Sequence, residues 1–68
     1  MIKQKYDTYI YPVNVIKQGI KDYKEIADIK LAIVGNYAYC FFAKCKYSEK
    51  ETVLEFNNYL IDLIGANN

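Results

Sequence analysis

From Ile2 to Tyr11, β-forming residues alternate loosely with charged ones. Ile2, Tyr6, Thr8 and Ile10 fall on one side, and Lys3, Lys5, Asp7 and Tyr9 on the other. Such alternation predicts a strand with one solvated face, its lysines suited to a sheet edge. Pro12 stops that strand and opens a helix, where its missing N–H costs nothing. Ile16, Gly19, Ile20, Tyr23, Ile26 and Ala27 then recur at helical spacing, with Lys17, Lys21 and Lys24 on the wet side. Gly19 inside this stripe implies a close backbone approach to the sheet.

Two apolar runs follow, 29–34 and 37–45, separated by Gly35-Asn36, a pair that tolerates the positive φ of a two-residue hairpin turn. Pairing counted outward from Val34 opposite Tyr37 places Ile29, Leu31 and Ile33 on one face with Ala38, Cys40 and Phe42. Lys30, Ala32 and Val34 then share the other face with Tyr37, Tyr39 and Phe41. The first set is wholly apolar and suits a core. Ser48-Glu-Lys-Glu51 reads as a capping box. The helix behind it carries Val53, Phe56, Leu60, Leu63 and Ile64 on one stripe, widened by Leu54 and Ile61, and Gly65 reads as its stop.

Strand, helix, strand, strand, helix is therefore the expected order, in one α+β domain over residues 1–68. A right-handed crossover makes the first two strands parallel, with the third between them. The expectation is a three-stranded antiparallel sheet with both helices on one face, a ferredoxin-like unit lacking its last strand. One edge and one sheet face should be left open.

Composition narrows the function classes. A chain of 68 residues lies near the lower limit for folding without staples, so self-association offers welcome extra burial. The hydrophobic share of 53% with 25% charged residues is that of a globular chain. Nine lysines, no arginine and a net charge of +1 argue against a nucleic-acid binder, which typically carries a clustered basic patch. No apolar run reaches the roughly 18–20 residues of a membrane span, and Met-Ile-Lys-Gln-Lys has no hydrophobic segment behind it that would make a signal peptide. The expected location is the cytoplasm, with both cysteines reduced.

Candidate chemistry is sparse. Without histidine there is no Ser/His/Asp grouping, and two cysteines offer too few ligands for a metal site. Cys40 and Cys45, five apart on one expected strand, point to opposite faces about 16 Å apart and cannot bridge. Cys40 reads as a small core residue and Cys45 as strand-end surface. Glu49, Glu51, Glu55 and Asp62 read as a solvated helix face rather than a paired-carboxylate site. No catalytic, cofactor or metal residue is assigned, and the expected class is a non-enzymatic binding protein.

The aromatics carry the functional expectation. Tyr9, Tyr11, Tyr37, Tyr39 and Phe41 gather on one expected sheet face, and a patch of rings is a frequent partner surface. Asn57-Asn58, awkward inside a helix, is a second candidate, able to hydrogen-bond a partner's backbone. Stacking on single-stranded RNA is a lesser use of such rings, given the missing basic groove.

Two stretches bear a family likeness. Residues 11–23 (Tyr11-Pro-Val-Asn-Val-Ile-Lys-Gln-Gly-Ile-Lys-Asp-Tyr23) resemble the strand-to-helix opening of the small D-type proteins of His-Xaa-Ser peptide systems. Glu55-Phe-Asn-Asn-Tyr-Leu-Ile-Asp62 is similar to that family's C-terminal signature, roughly Leu-Leu-Asn-Asp-Tyr followed by Leu-Arg-Glu. Asn57 and Tyr59 match its asparagine and tyrosine. Asn58 replaces the aspartate, and Ile61-Asp62 occupies the Arg-Glu places. The likeness implies an accessory without chemistry of its own, working beside radical-SAM enzymes that modify a ribosomally made peptide. The expected partner is then a precursor peptide or the maturase, taken along the open edge and aromatic face. The alternative is a homodimeric structural module joined through that aromatic face.

Overall fold

The computed structural model describes residues 1–66 and has the order β1 (Ile2–Asp7), α1 (Val13–Asp22), β2 (Asp28–Val34), β3 (Tyr37–Ala43) and α2 (Glu49–Ala66). The sheet runs β1-β3-β2, with β3 antiparallel to both neighbours and the outer strands therefore parallel to each other. This is the expected α+β arrangement, open at both edges.

Gly35 makes the hairpin possible. Its φ of +58° lies in the left-handed region, where a side chain is disfavoured. The turn sets Val34 opposite Tyr37, Leu31 opposite Cys40 and Ile29 opposite Phe42. On β3 the inward residues Ala38, Cys40 and Phe42 are fully buried. They form one core with Tyr6, Val15, Ile16, Ile29, Val53, Phe56 and Leu60, so both helices lie on the same side of the sheet. Phe42 meets Phe56 edge-on at 5.3 Å between centroids.

Gly19 explains the short helix–helix distance. A Cβ built there would lie 2.7 Å from Leu60 Cδ2 and 3.1 Å from Phe56 Cε1. The close approach foreseen at this glycine exists, but its neighbour is α2 and not the sheet.

Several boundaries differ from the sequence reading. β1 ends at Asp7, because residues 8–10 form a turn in which the Asp7 carbonyl accepts N–H bonds from Ile10 and Tyr11. Pro12 caps α1 from outside, and the helix stops at Asp22 before a further turn through Ile26. β3 ends at Ala43, because Lys44 takes φ +52° and breaks the ladder. Cys45 consequently leaves the strand and packs half-buried against the core. Only one half of the capping box forms. Ser48 Oγ accepts the Glu51 N–H at 3.1 Å, with no return bond from the Glu51 side chain. Gly65 does not stop α2, which continues to Ala66. Leu54 and Ile61, read as widening the core stripe, are instead 55% and 54% exposed.

Candidate functional site

The outer sheet face carries the aromatics, in rows set by the register. Lys3, Phe41 and Lys30 form one row, Lys5, Tyr39 and Ala32 the next, and Asp7, Tyr37 and Val34 the third. No helix covers these rings, yet Tyr39 and Phe41 are only half-exposed and Tyr37 is 40% exposed. Lysines of β1 lie over two of these rings, Tyr37 and Tyr39. The Lys5 ammonium sits 4.5 Å from the Tyr37 ring centroid, and that of Lys3 lies 5.6 Å from Tyr39. Long lysine stems lie readily across apolar surface, and an ammonium over a ring is worth about 0.5–1 kcal/mol at an exposed site.

The other proposed aromatics do not join this face. Tyr9 stands in the turn after β1, 83% exposed. Tyr11 turns inward, meeting Tyr6 edge-on at 5.2 Å and packing against the core. The shortened strand is the reason: past Asp7, alternation no longer governs direction.

Asn57 and Asn58 sit on α2, on the far side of the sheet from the aromatic rows. Asn57 has an internal role, its Oδ1 accepting the Tyr6 hydroxyl at 2.6 Å. Asn58 is exposed. Tyr59, which the family likeness also includes, donates to Asp22 at 2.5 Å and ties α2 to α1. That hydrogen bond raises the Tyr59 pKa, with burial and the Asp22 charge adding to it.

The aromatic face borders the free edge of β1, and Asn57 reaches β1 through Tyr6. The Thr8 N–H bonds the Asn36 carbonyl at 2.9 Å, which fixes the alternation along the ladder. Ile2, Gln4 and Tyr6 therefore spend their backbone groups on β3, while Lys3, Lys5 and Asp7 direct theirs outward. The Asp7 carbonyl is already used by the turn. Both polar groups of Lys3 and Lys5 and the Asp7 N–H face outward along the edge.

Helix α2 is tied to β1 by two contacts, the Met1 ammonium on Glu49 at 2.9 Å and the Tyr6–Asn57 hydrogen bond. On its opposite flank Phe56, Tyr59 and Leu60 meet α1. At about 100° per residue, Leu54 and Ile61 fall on the flank of α2 turned away from α1, on the same side as Asn57. The candidate site is thus the unpaired strand edge, with two exposed aliphatic side chains on the neighbouring flank of α2. Sequence reasoning placed both residues in the core stripe and missed this. The available signal was the number of apolar positions on α2, more than a three-stranded sheet can cover.

Across α2, a cleft of about 390 Å³ is lined by Tyr23, Ile26, Tyr47, Glu51, Thr52 and Glu55. Burial, aided by the Glu55 charge, raises the Tyr23 pKa there. Among the described residues no group of three or more His, Cys, Asp or Glu is placed to hold a metal ion, and no helix is long and apolar enough to cross a membrane.

No protein-family model, curated protein or solved structure matches this chain.

Proposed function

We propose that this chain is a non-enzymatic accessory protein that captures an extended peptide as a fourth strand on β1. The observation that supports this reading is the outward edge of Lys3 and Lys5, unpaired among the described residues, with Leu54 and Ile61 exposed on the helix tied to that strand. An added strand here satisfies those backbone groups and extends the order β1-β3-β2 to the four strands of a complete ferredoxin-like sheet. Side chains of the peptide alternate in direction, so every second residue lies on the helix side of the sheet and should be apolar. The intervening ones lie beside Lys3 and Lys5, which favours acidic residues there.

The family likeness suggests the partner, either a precursor peptide or the maturase of a radical-SAM modification system. A radical-SAM gene beside the coding gene would support that pathway, and its absence would remove it. A homodimer through the aromatic face is less well supported by the geometry. Burying that face against a second copy requires stripping water from Lys3 and Lys5, which already sit over the rings.

Selection of random decapeptides on the immobilised protein tests the site. Binders should alternate apolar and acidic residues, and should slow amide exchange at Lys3, Lys5 and Asp7. Selected peptides that instead protect Ile29, Leu31 and Ile33, or a selection with no enrichment, would sink the reading.

A further inference from the structure

The two edges of this sheet are guarded unequally. β1 presents Lys3, Lys5 and Asp7 along its outer face, charges that discourage unplanned pairing. β2 (Asp28-Ile-Lys-Leu-Ala-Ile-Val34) has only Lys30 and the terminal Asp28. The same alternation that frees Lys3 and Lys5 on β1 turns the backbone groups of Ile29, Leu31 and Ile33 outward on β2. None of these groups has another partner among the described residues. Its apolar side chains are also left uncovered towards the turn. Ile33, on the core face of the sheet, is 47% exposed, and Val34 is 63% exposed.

We propose that β2 is a self-association surface, pairing antiparallel with β2 of a second copy to form a continuous six-stranded sheet. The occupant follows from the strand's own symmetry. A two-fold interface requires a surface complementary to itself, and the outward residues Ile29, Leu31 and Ile33 read as isoleucine, leucine, isoleucine in either direction. With the two-fold axis at Leu31, that residue faces its own copy and Ile29 faces Ile33. Every outward N–H and C=O of the three then meets a partner, and on the core face half-covered Leu31 meets its own copy while the exposed Ile33 packs beside Ile29. On the outer face Lys30 falls opposite Ala32, and Asp28 opposite Val34, so no like charges are opposed. β1 lacks this property, because an axis at Gln4 or Lys5 sets lysine against lysine. The pairing also supplies the extra burial that a chain of 68 residues lacks. It is independent of peptide capture, which uses the opposite edge.

The lysine–alanine pairing gives a test of register as well as of association. Sedimentation equilibrium over a concentration series should show a monomer–dimer equilibrium. Ala32→Glu places a carboxylate opposite Lys30 of the second copy and should tighten the dimer about threefold or more. Ala32→Lys should weaken it by a similar factor, since opposed cross-strand charges act twice in a symmetric pair. Ile33→Lys should give a monomer. Amides of Ile29, Leu31 and Ile33 should exchange more slowly at high concentration than at low. Circular dichroism checks that each variant stays folded, and position 32, exposed on the outer face, provides a readout if Ile33→Lys unfolds. A monomer at every concentration overturns the proposal. So does a dimer indifferent to both Ala32 changes, a dimer abolished by Tyr39→Asp but not by Ile33→Lys, or open-ended fibres from β2 pairing with β1.

Discussion

The phenol of Tyr6 on β1 donates a hydrogen bond of 2.6 Å to Oδ1 of Asn57 on α2, joining positions 51 apart in the chain. Tyr6 is 3% exposed, so the hydroxyl has little water to turn to if its acceptor is lost. Asn57→Ala leaves it unsatisfied and should cost about 1–3 kcal/mol, whereas Tyr6→Phe removes the hydroxyl and should cost less, about 0.5–1.5 kcal/mol. Urea unfolding of the two variants and the double variant checks this. An Asn57→Ala protein as stable as the parent would mean that the asparagine serves something other than this bond.

At Gly19, helix propensity and packing oppose one another. Alanine gains up to about 1 kcal/mol in a helix interior, but its Cβ would lie 2.7 Å from a side-chain atom of the fully buried Leu60, with Phe56 closing the other side. Overpacking of this kind typically costs about 1–3 kcal/mol. Gly19→Ala should therefore lower stability by roughly 1 kcal/mol. In a Leu60→Ala background, where room has been made, the same change should be neutral or stabilising. A thermodynamic cycle with both substitutions reads the coupling directly.

Stability should fall in alkali. Burial pushes the Cys40 thiol up to about 11 from an ordinary 9.0. Burial first, then the Cys40 and Tyr11 charges, raises the Tyr6 phenol above its ordinary 10.0. Both groups are neutral when protonated, and the fold favours that form. Their contribution is whole below the unfolded values and is lost as pH rises through the folded ones. The urea midpoint should drop between pH 9 and about pH 11, less steeply in Cys40→Ala. For the same reason a thiol reagent should modify Cys45 well ahead of Cys40, which reacts as its thiolate only when the core opens.

Leu54→Lys and Ile61→Lys change side chains that are more than half exposed. Each should alter folding stability by less than about 0.5 kcal/mol, the usual range for surface positions. If the β1 edge takes peptides under this helix flank, both changes should weaken capture of a selected peptide several-fold. Fluorescence titration with a labelled peptide measures it, and unchanged affinity would move the binding site elsewhere.

Much of this architecture was legible in the residues. Gly35-Asn36 set the turn, the turn set the register, and the register separated Ala38, Cys40 and Phe42 from Tyr37, Tyr39 and Phe41. Local pattern served where local chemistry rules. It failed where tertiary neighbours decide. Nothing in the spacing of Tyr9 and Tyr11 shows that the Asp7 carbonyl ends the strand early and sends one ring outward and the other inward. Asn57 is awkward in a helix by its residue type alone, but its partner Tyr6 lies in a different element, beyond the reach of any periodicity. The lysine cover on the outer rings was likewise hidden, although its members sit directly beside Phe41 and Tyr39 once the pairing is known.

The strand order has a consequence for how the chain is made. β1 leaves the ribosome before β3, its pairing partner among the described residues, so Tyr6 must wait for Ala38. Throughout that interval the nascent β1 segment has no β3 ladder to join. Lys3 and Lys5, which end up over rings made later, meanwhile give the waiting segment a charge of the kind that discourages edge-to-edge pairing.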